Sequence, residues 1–252
     1  MDAIDNLLNH KTIRKYKSDP IPSNVLNLIL QAAARTSTTG NMQVYSIIVT
    51  TDEEKKKELH KLHFGQGMIL QAPMLLTFCA DFNRFNQWCE QRKAIPGYDN
   101  FLSFYTASID ALIAAQNACV AAEAQGLGIC YLGTTTYQAG KLVDFFKLPK
   151  GVVPLTTLVV GYPDENPPLT DRLPLEAIVH YETYKDYTPK DIDRIYMEKE
   201  NLDFTQDLLK ENNLETLAQI FTEKRYPKKM NVDFSKIFLD VIEKQGFMNH
   251  ES

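Results

Sequence analysis

The feature that most constrains the fold of this chain is its longest helical pattern, Phe101 to Gln125. Apolar residues cover nearly every face of the centre of this segment, and many of them are alanines. A helix without a polar face has to be buried, and alanines allow a second helix to approach closely. We therefore predict that this helix lies at the heart of the fold or across a subunit interface.

Two apolar runs predict strands that are buried on both faces, because neither run alternates with polar residues. These runs are Pro73 to Ala80 and Val152 to Tyr162. Residues Val44 to Thr50 and the end of the stretch 126–133 predict two further strands. Helical patterns occupy Ser23 to Arg35, Asp52 to His63, Asn83 to Arg92, Gln138 to Phe146 and Asp233 to Gln245. From Glu165 the chain becomes rich in proline and charge, which predicts an extended arm.

Composition excludes some classes of function. The 252 residues are 44% hydrophobic, which is enough for a substantial core, and carry a formal net charge of -5. The acidic balance and the lack of a long basic stripe argue against nucleic-acid binding. The chain begins with acidic residues and contains no apolar stretch of membrane-spanning length, and its four cysteines form no CxxC pair. We expect reduced thiols, no membrane association and a cytoplasmic location.

A cluster of donors near the N-terminus is the first candidate site. His10-Lys11-Thr12-Ile13-Arg14 places a histidine, two cations and a hydroxyl just ahead of the first long helical pattern. A phosphomonoester carries nearly two negative charges and accepts several charge-assisted hydrogen bonds, for which such a group is suited. A solvated basic edge is the alternative interpretation of the same residues.

Two other motifs carry less weight. Glycines 126, 128 and 133 follow a helix and precede a strand, which is the reverse of a dinucleotide fingerprint, so Gly126 is better explained as a helix C-cap. His60 and His63 share a helical face but have no third ligand at a recognisable spacing, and lysines and glutamates surround them. We interpret them as a surface pair and predict no metal site.

Taken in order, the motifs of this chain resemble those of the nitroreductase superfamily, in particular its oxygen-insensitive NAD(P)H nitroreductases and flavin reductases. The resemblance covers roughly residues 6 to 180, and the order and spacing of the pieces are specific. The shared pieces are His10-Lys11-Thr12-Ile13-Arg14, Ser37-Thr38-Thr39 with Gln43, Gly65-Gln66, Cys79 to Arg84, Gly126-Leu127-Gly128 with Tyr131-Leu132-Gly133, Gly161-Tyr162-Pro163 and Arg172-Leu173-Pro174.

The resemblance implies an α+β fold, a mixed β-sheet wrapped by helices with a long central helix and an extended C-terminal arm. It implies a nitroreductase domain over 1–184, a helical extension over 185–252 that packs on the same domain or on a dimer partner, and a homodimer with an FMN in each interface cleft. The implied phosphate and ribityl ligands are His10, Lys11, Thr12, Arg14 and Arg172. The implied neighbours of the isoalloxazine ring are Thr38, Gln66 and the backbone of Tyr131, Leu132, Gly133 and Thr134, and Gln43 is implied as a further cofactor-binding residue.

The implied reaction is a ping-pong hydride transfer from NADPH or NADH to small-molecule acceptors such as nitroaromatics, quinones or flavins. Because the flavin supplies this chemistry, we assign no catalytic side chain. Two departures stand out: Thr170 occupies a position where the branch commonly has a lysine, and the stretch after residue 198 is acidic, which leaves the choice between NADPH and NADH open. Another flavin reaction, such as reductive dehalogenation or flavin breakdown, and a non-enzymatic flavin carrier remain alternatives.

Overall fold

A computed structural model describes residues 2–251 of the chain. The chain divides into two compact units, the first formed by Met1–Pro168 with Phe234–Ser252 and the second by Leu169–Asp233. The domain boundary expected from the sequence, between residues 184 and 185, stays a prediction. Within residues 2–251, no helix combines the length and the apolar content needed to cross a membrane.

The first unit is built on one four-stranded sheet. Its strands are β1 (Tyr45–Thr50), β2 (Met74–Asp81), β3 (Gly128–Leu132) and β4 (Val152–Gly161). They pair antiparallel in the order β1-β2-β4-β3. The helices of this unit are α1 (Ala3–Leu8), α2 (Ser23–Ala34), α3 (Glu53–Leu62), α4 (Met68–Gln71), α5 (Asn83–Gln91), α6 (Phe101–Ala124), α7 (Thr134–Tyr137) and α8 (Ala139–Phe146). The expected α+β class, with helices around a sheet, is confirmed.

The two central strands explain the two long apolar runs in the sequence. Every residue of β2 and β4 is buried. Leu76 and Leu158 face a core that includes α2 and α6, whereas Leu75 and Val159 face a second cluster with residues of α3, α4 and α8. Because helices cover both faces of the sheet, neither strand needs a polar face, although all the pairings are antiparallel.

The long central helix α6 begins at Phe101 and ends at Ala124. Its end has the geometry expected from the sequence: Gly126 has a φ of 77°, and its backbone N–H donates to the carbonyl of Glu123. The next amide, that of Leu127, donates to the carbonyl of Ala122, which completes a Schellman motif. The reversal at Gly126 sends the chain directly into β3.

The second unit is helical. Its helices are α9 (Pro189–Asn201), α10 (Asp203–Asn212) and the short α11 (Leu217–Gln219), which continues as a π-helix over Ile220–Arg225. Capping boxes at Thr188 and Thr216 start α9 and α11. The last helix, α12 (Lys228–Lys244), begins five residues before the Asp233 start expected from the sequence and buries Val241 and Ile242 in the core of the first unit.

Candidate functional site

The N-terminal donor cluster lies along the edge of the sheet next to β3. Thr12 forms an isolated parallel bridge with Ile129, and the Ile13 amide donates to the Ile129 carbonyl at 2.9 Å. Ile13 and Tyr16 are buried, whereas Arg14 between them is exposed. The apolar residues of the segment therefore anchor it against β3 and leave the guanidinium group in solvent.

Glycine is required at the start of β3 for this docking. A Cβ atom built on Gly128 would lie 2.6 Å from Cγ1 of Ile13 and 2.8 Å from its Cβ. Real Cβ atoms do not approach other atoms so closely, so a larger residue would push the N-terminal segment away from the strand. Gly128 thus sets the distance between the donor cluster and β3.

The start of the arm also contacts this segment. A carboxylate oxygen of Glu165 accepts hydrogen bonds from the backbone amides of Arg14 and Lys15, the latter at 3.0 Å. The ammonium group of Lys11 donates to the side-chain oxygen of Asn166 at 2.9 Å. Glu165 and Asn166 therefore hold the backbone of the cluster and one of its cations.

His10 is paired with the central helix. Its Nδ1 lies 2.6 Å from Oε1 of Glu123, and the thiol of Cys119 donates to Oε2 of the same carboxylate at 3.8 Å. Burial, together with the neighbouring carboxylate, raises the pKa of Cys119, so this cysteine is a thiol and not a thiolate. The ligand atoms of these three residues lie within 4.8 Å of one another, but hydrogen bonds already account for the cluster.

Two residues expected beside the flavin ring, Gln66 and Thr134, contact each other. The side-chain amide of Gln66 lies 3.2 Å from Oγ1 of Thr134, and Nδ1 of His63 lies 2.7 Å from the same oxygen. The side chain of His63 is fully buried, and its other ring nitrogen, Nε2, has no hydrogen-bond partner among residues 2–251. Burial lowers the pKa of His63 to about 4, so the ring is neutral at physiological pH.

The proton positions in this network follow from the unpaired nitrogen. A buried N–H without a partner is rarer than an acceptor without one, so we assign the single proton of His63 to Nδ1. Oγ1 of Thr134 then accepts from both His63 and Gln66. The hydroxyl proton of Thr134 is left free to donate to a ligand.

The interpretation of His60 and His63 as a surface pair was therefore wrong for His63. The lysines and glutamates of α3 suggested a solvated face, but His63 is the residue at which the helix ends, and there its ring turns inward onto Thr134. The sequence offers no local signal for this contact because its partners are 71 positions apart.

The backbone between β3 and α7 joins these groups. Tyr131 is about one-third exposed, and its hydroxyl donates to Gln116 at 3.1 Å, whereas Leu132 is buried. A Cβ built on Gly133 would meet no atom within 4 Å, so the space beside this backbone is open. Burial and the nearby Cys119 and Glu123 raise the pKa of Tyr131. The donor cluster and the expected ring neighbours Tyr131, Leu132, Gly133 and Thr134 thus lie at the same strand.

Thr38 and Gln43 belong to a separate loop. Together with Arg35, Asn41 and neighbouring residues they line a polar cavity of about 390 Å³. The buried carboxylate of Asp110 in α6 shapes the loop by accepting from the amides of Thr39 at 2.9 Å and of Val44 at 3.4 Å. In the part of the chain that the structure describes, no hydrogen bond joins this loop to the groups around His10 or Gln66.

Arg172 lies in the second unit. Its Nη1 donates to Oγ1 of Thr170 at 2.7 Å and to the backbone carbonyl of Asp171 at 2.9 Å. Thr170, which stands where the resembled branch commonly has a lysine, is therefore a partner of this arginine. The assignment of Arg172 to the phosphate stays a prediction from the resemblance.

Sequence reasoning missed Glu123 and Asp110 as well as His63. A signal for the two acids was nevertheless present, because they are the only charged residues in the whole of α6. A carboxylate in a buried apolar helix needs partners, so such a residue marks a contact with another part of the chain.

The pH dependence of folding tests the environment of His63. In the unfolded chain, the imidazole of His63 takes up a proton near its ordinary pKa of 6.5. In the folded chain, burial lowers the pKa of His63 to about 4, so the ring stays neutral until the pH falls that far. Stability should therefore fall as the pH is lowered from 6.5 to 4, by on the order of 3 kcal/mol from this group, with no contribution above that window. Chemical denaturation of His63→Gln at several pH values should show a correspondingly smaller fall. His60→Gln controls for loss of a histidine, and an identical fall in His63→Gln and wild type would contradict the assignment.

Comparisons with known proteins identify the family of this chain. The sequence profile of the Nitroreductase family matches residues 7–162. An FMN reductase (NAD(P)H) from Bacillus subtilis (strain 168) is 36% identical over 188 residues, which is 73% of this chain and 74% of its own. An oxygen-insensitive NADPH nitroreductase from Salmonella typhimurium is 36% identical over 183 residues, 73% of this chain and 75% of its own. A solved structure from Bacteroides fragilis NCTC 9343 is 50% identical over 97% of this chain and 100% of its own, with a TM-score of 0.95. The resemblance is confirmed, and the chain belongs to the nitroreductase family.

Proposed function

We propose that this protein is an FMN-dependent oxidoreductase that reduces nitroaromatics, quinones or flavins with NADPH or NADH. The observation that carries the proposal is that two kinds of binding group lie together at β3. The cationic donors Lys11 and Arg14 lie on one side with the imidazole of His10, and neutral donors with open backbone lie at the strand's end, around Gly133. This combination suits a phosphate joined to a flat polar ring, and family members of similar sequence are FMN reductases and nitroreductases.

The residues present fit FMN in charge and in donor type. Arg14 offers a planar guanidinium to phosphate oxygens, and Lys11 is held nearby by Asn166. The hydroxyl of Thr134 offers a donor to the ring and the side-chain oxygen of Gln66 offers an acceptor, because the amide group of Gln66 already donates to His63 and Thr134. Gly133 leaves space for a flat ligand. Bound FMN would supply hydride transfer in two half-reactions, first from the nicotinamide and then to the acceptor. The protein's part is to bind and orient the two substrates in turn.

We also propose that the protein is a homodimer, because α6 exposes an apolar stripe. Leu102, Tyr105, Ile109 and Leu112, at helical spacing along one face, are between 37% and 71% exposed. The Thr38–Gln43 loop is held by Asp110, next to this stripe, so a dimer formed through α6 would place the loop at the interface.

The four free, buried thiols suit a reducing compartment, which supports a cytoplasmic location.

The absorption spectrum and the turnover of bound flavin test the function. The purified protein should be yellow, NADPH or NADH should bleach it without oxygen, and a quinone should restore the colour. Steady-state plots at several acceptor concentrations should be parallel, as expected for a ping-pong cycle. A protein that binds FMN but is bleached by neither donor would be a carrier, and intersecting plots would reject the ping-pong order.

Arg14→Ala tests the phosphate assignment. Loss of one charged hydrogen bond should weaken FMN binding by about 1.5 to 3 kcal/mol, measured by titration of the flavin fluorescence. Lys15→Ala is a matched control because it removes the same charge from the neighbouring exposed position, whose amide bonds the same Glu165 carboxylate. Equal losses in both variants would indicate a general effect of charge, and unchanged affinity in Arg14→Ala would exclude the contact.

Leu112→Glu tests the dimer interface. The wild type should have twice the chain mass of 28.7 kDa in solution, and a carboxylate on the apolar stripe should shift it toward the monomer. Leu239→Glu in α12 is the control, since Leu239 is 47% exposed and Leu112 is 48% exposed. Sedimentation equilibrium distinguishes the states. A monomeric wild type would refute the dimer, and a dimeric Leu112→Glu would place the interface elsewhere.

A further inference from the structure

We propose that Glu123 is a positioning residue of the phosphate site, which holds the imidazole of His10 so that its Nε2 donates to the phosphate of FMN. This inference rests on the proposed function and adds to it a residue that lies behind the residues predicted to contact the ligand. Glu123 itself would not touch FMN. It would act only through His10.

The geometry of the pair supports a fixed orientation. Oε1 of Glu123 lies 2.6 Å from Nδ1 of His10, and Oε2 accepts from the thiol of Cys119, one turn earlier in α6. Both oxygens of the carboxylate are therefore engaged, which restricts its rotation. The side chain of Glu123 is 11% exposed and that of His10 is 29% exposed, so the carboxylate lies on the inner side of the pair.

The donors and acceptors on the two sides of His10 determine the role of its Nε2 atom. A carboxylate only accepts, so Nδ1 of His10 has to carry a proton in this contact. A dianionic phosphate also only accepts, and the one form of imidazole with a donor at both nitrogens is the doubly protonated ring. The Glu123 carboxylate lies behind the ring, where it would compensate the positive charge of that form.

The position of Glu123 is unfavourable for the helix itself. It lies in the last turn of α6, where the negative end of the helix dipole makes an anion unfavourable. It is also largely buried in a helix whose only other charged residue is Asp110. A cationic partner offsets both effects, and His10 is the ring that the structure places there.

The Glu123 carboxylate should also have an effect that opposes FMN binding. Without His10 between them, the Glu123 carboxylate and the phosphate would repel each other. Removal of the carboxylate charge should therefore weaken FMN binding when His10 is present, but not when His10 is absent. A residue with a purely structural role would not show this reversal.

The experiment is a double-mutant cycle with two ligands, read by fluorescence titration of the full-length chain. Glu123→Gln keeps the shape of the side chain and removes its charge. We expect it to lower FMN affinity about tenfold and to leave riboflavin affinity, which lacks the phosphate contribution, within about twofold. In the His10→Ala background, the same Glu123→Gln change should leave FMN affinity unchanged or raise it. Phosphorus NMR of the bound FMN should show an altered phosphate signal in Glu123→Gln.

Three outcomes would overturn the inference. These are unchanged FMN affinity in Glu123→Gln, an equal loss of FMN and riboflavin affinity, or the same loss of FMN affinity in the His10→Ala background. If Glu123→Gln does not fold, NMR of the imidazole nitrogens in the wild-type FMN complex decides, since a singly protonated His10 ring would refute the proposal. A wild-type protein that binds no FMN would instead refute the proposed function, and this is seen before any variant is made.

Discussion

The candidate site depends on one interaction, the docking of the N-terminal segment against β3. The Thr12 bridge to Ile129 and the amide of Ile13 fix the register of the segment, and the side chain of Ile13 packs directly over Gly128. Because β3 contains Tyr131 and is followed by Gly133, this contact places cationic donors and open backbone at the same strand. If the segment docked elsewhere, the cations would be an ordinary solvated basic edge, which is the alternative interpretation of the same sequence.

The central helix organises the site through its two charged residues. Asp110 holds the loop that contains Thr38 and Gln43, and Glu123 holds His10, while the rest of α6 is packed against the sheet and α2 or exposes its apolar stripe. A buried carboxylate is stable only when hydrogen bonds or a positive charge replace its lost hydration. Each acid therefore connects the rigid centre of the fold to one separate segment of the candidate site.

The residues of the candidate site lie in two separate parts of the chain. The groups around His10 and Gln66 share β3, whereas the Thr38–Gln43 loop is attached to α6 near an exposed apolar stripe. Within one chain the loop makes no hydrogen bond to the other groups in the part that the structure describes. A second copy packed on α6 would bring a loop to the interface, so the proposed dimer and the proposed cofactor site support each other.

The sequence by itself determined the elements whose physics is local. The apolar runs predicted β2 and β4 because strands covered on both faces need no polar residues, and Gly126 was recognised as a cap because only glycine adopts a positive φ easily. The family followed from the order of short motifs. Only the tertiary structure decided that His63 is buried against Thr134, that Glu123 pairs with His10, and that α12 adds Val241 to the core. Those contacts join residues far apart in the chain, and no local pattern specifies a partner at that distance, because burial and charge pairing are properties of the packed molecule.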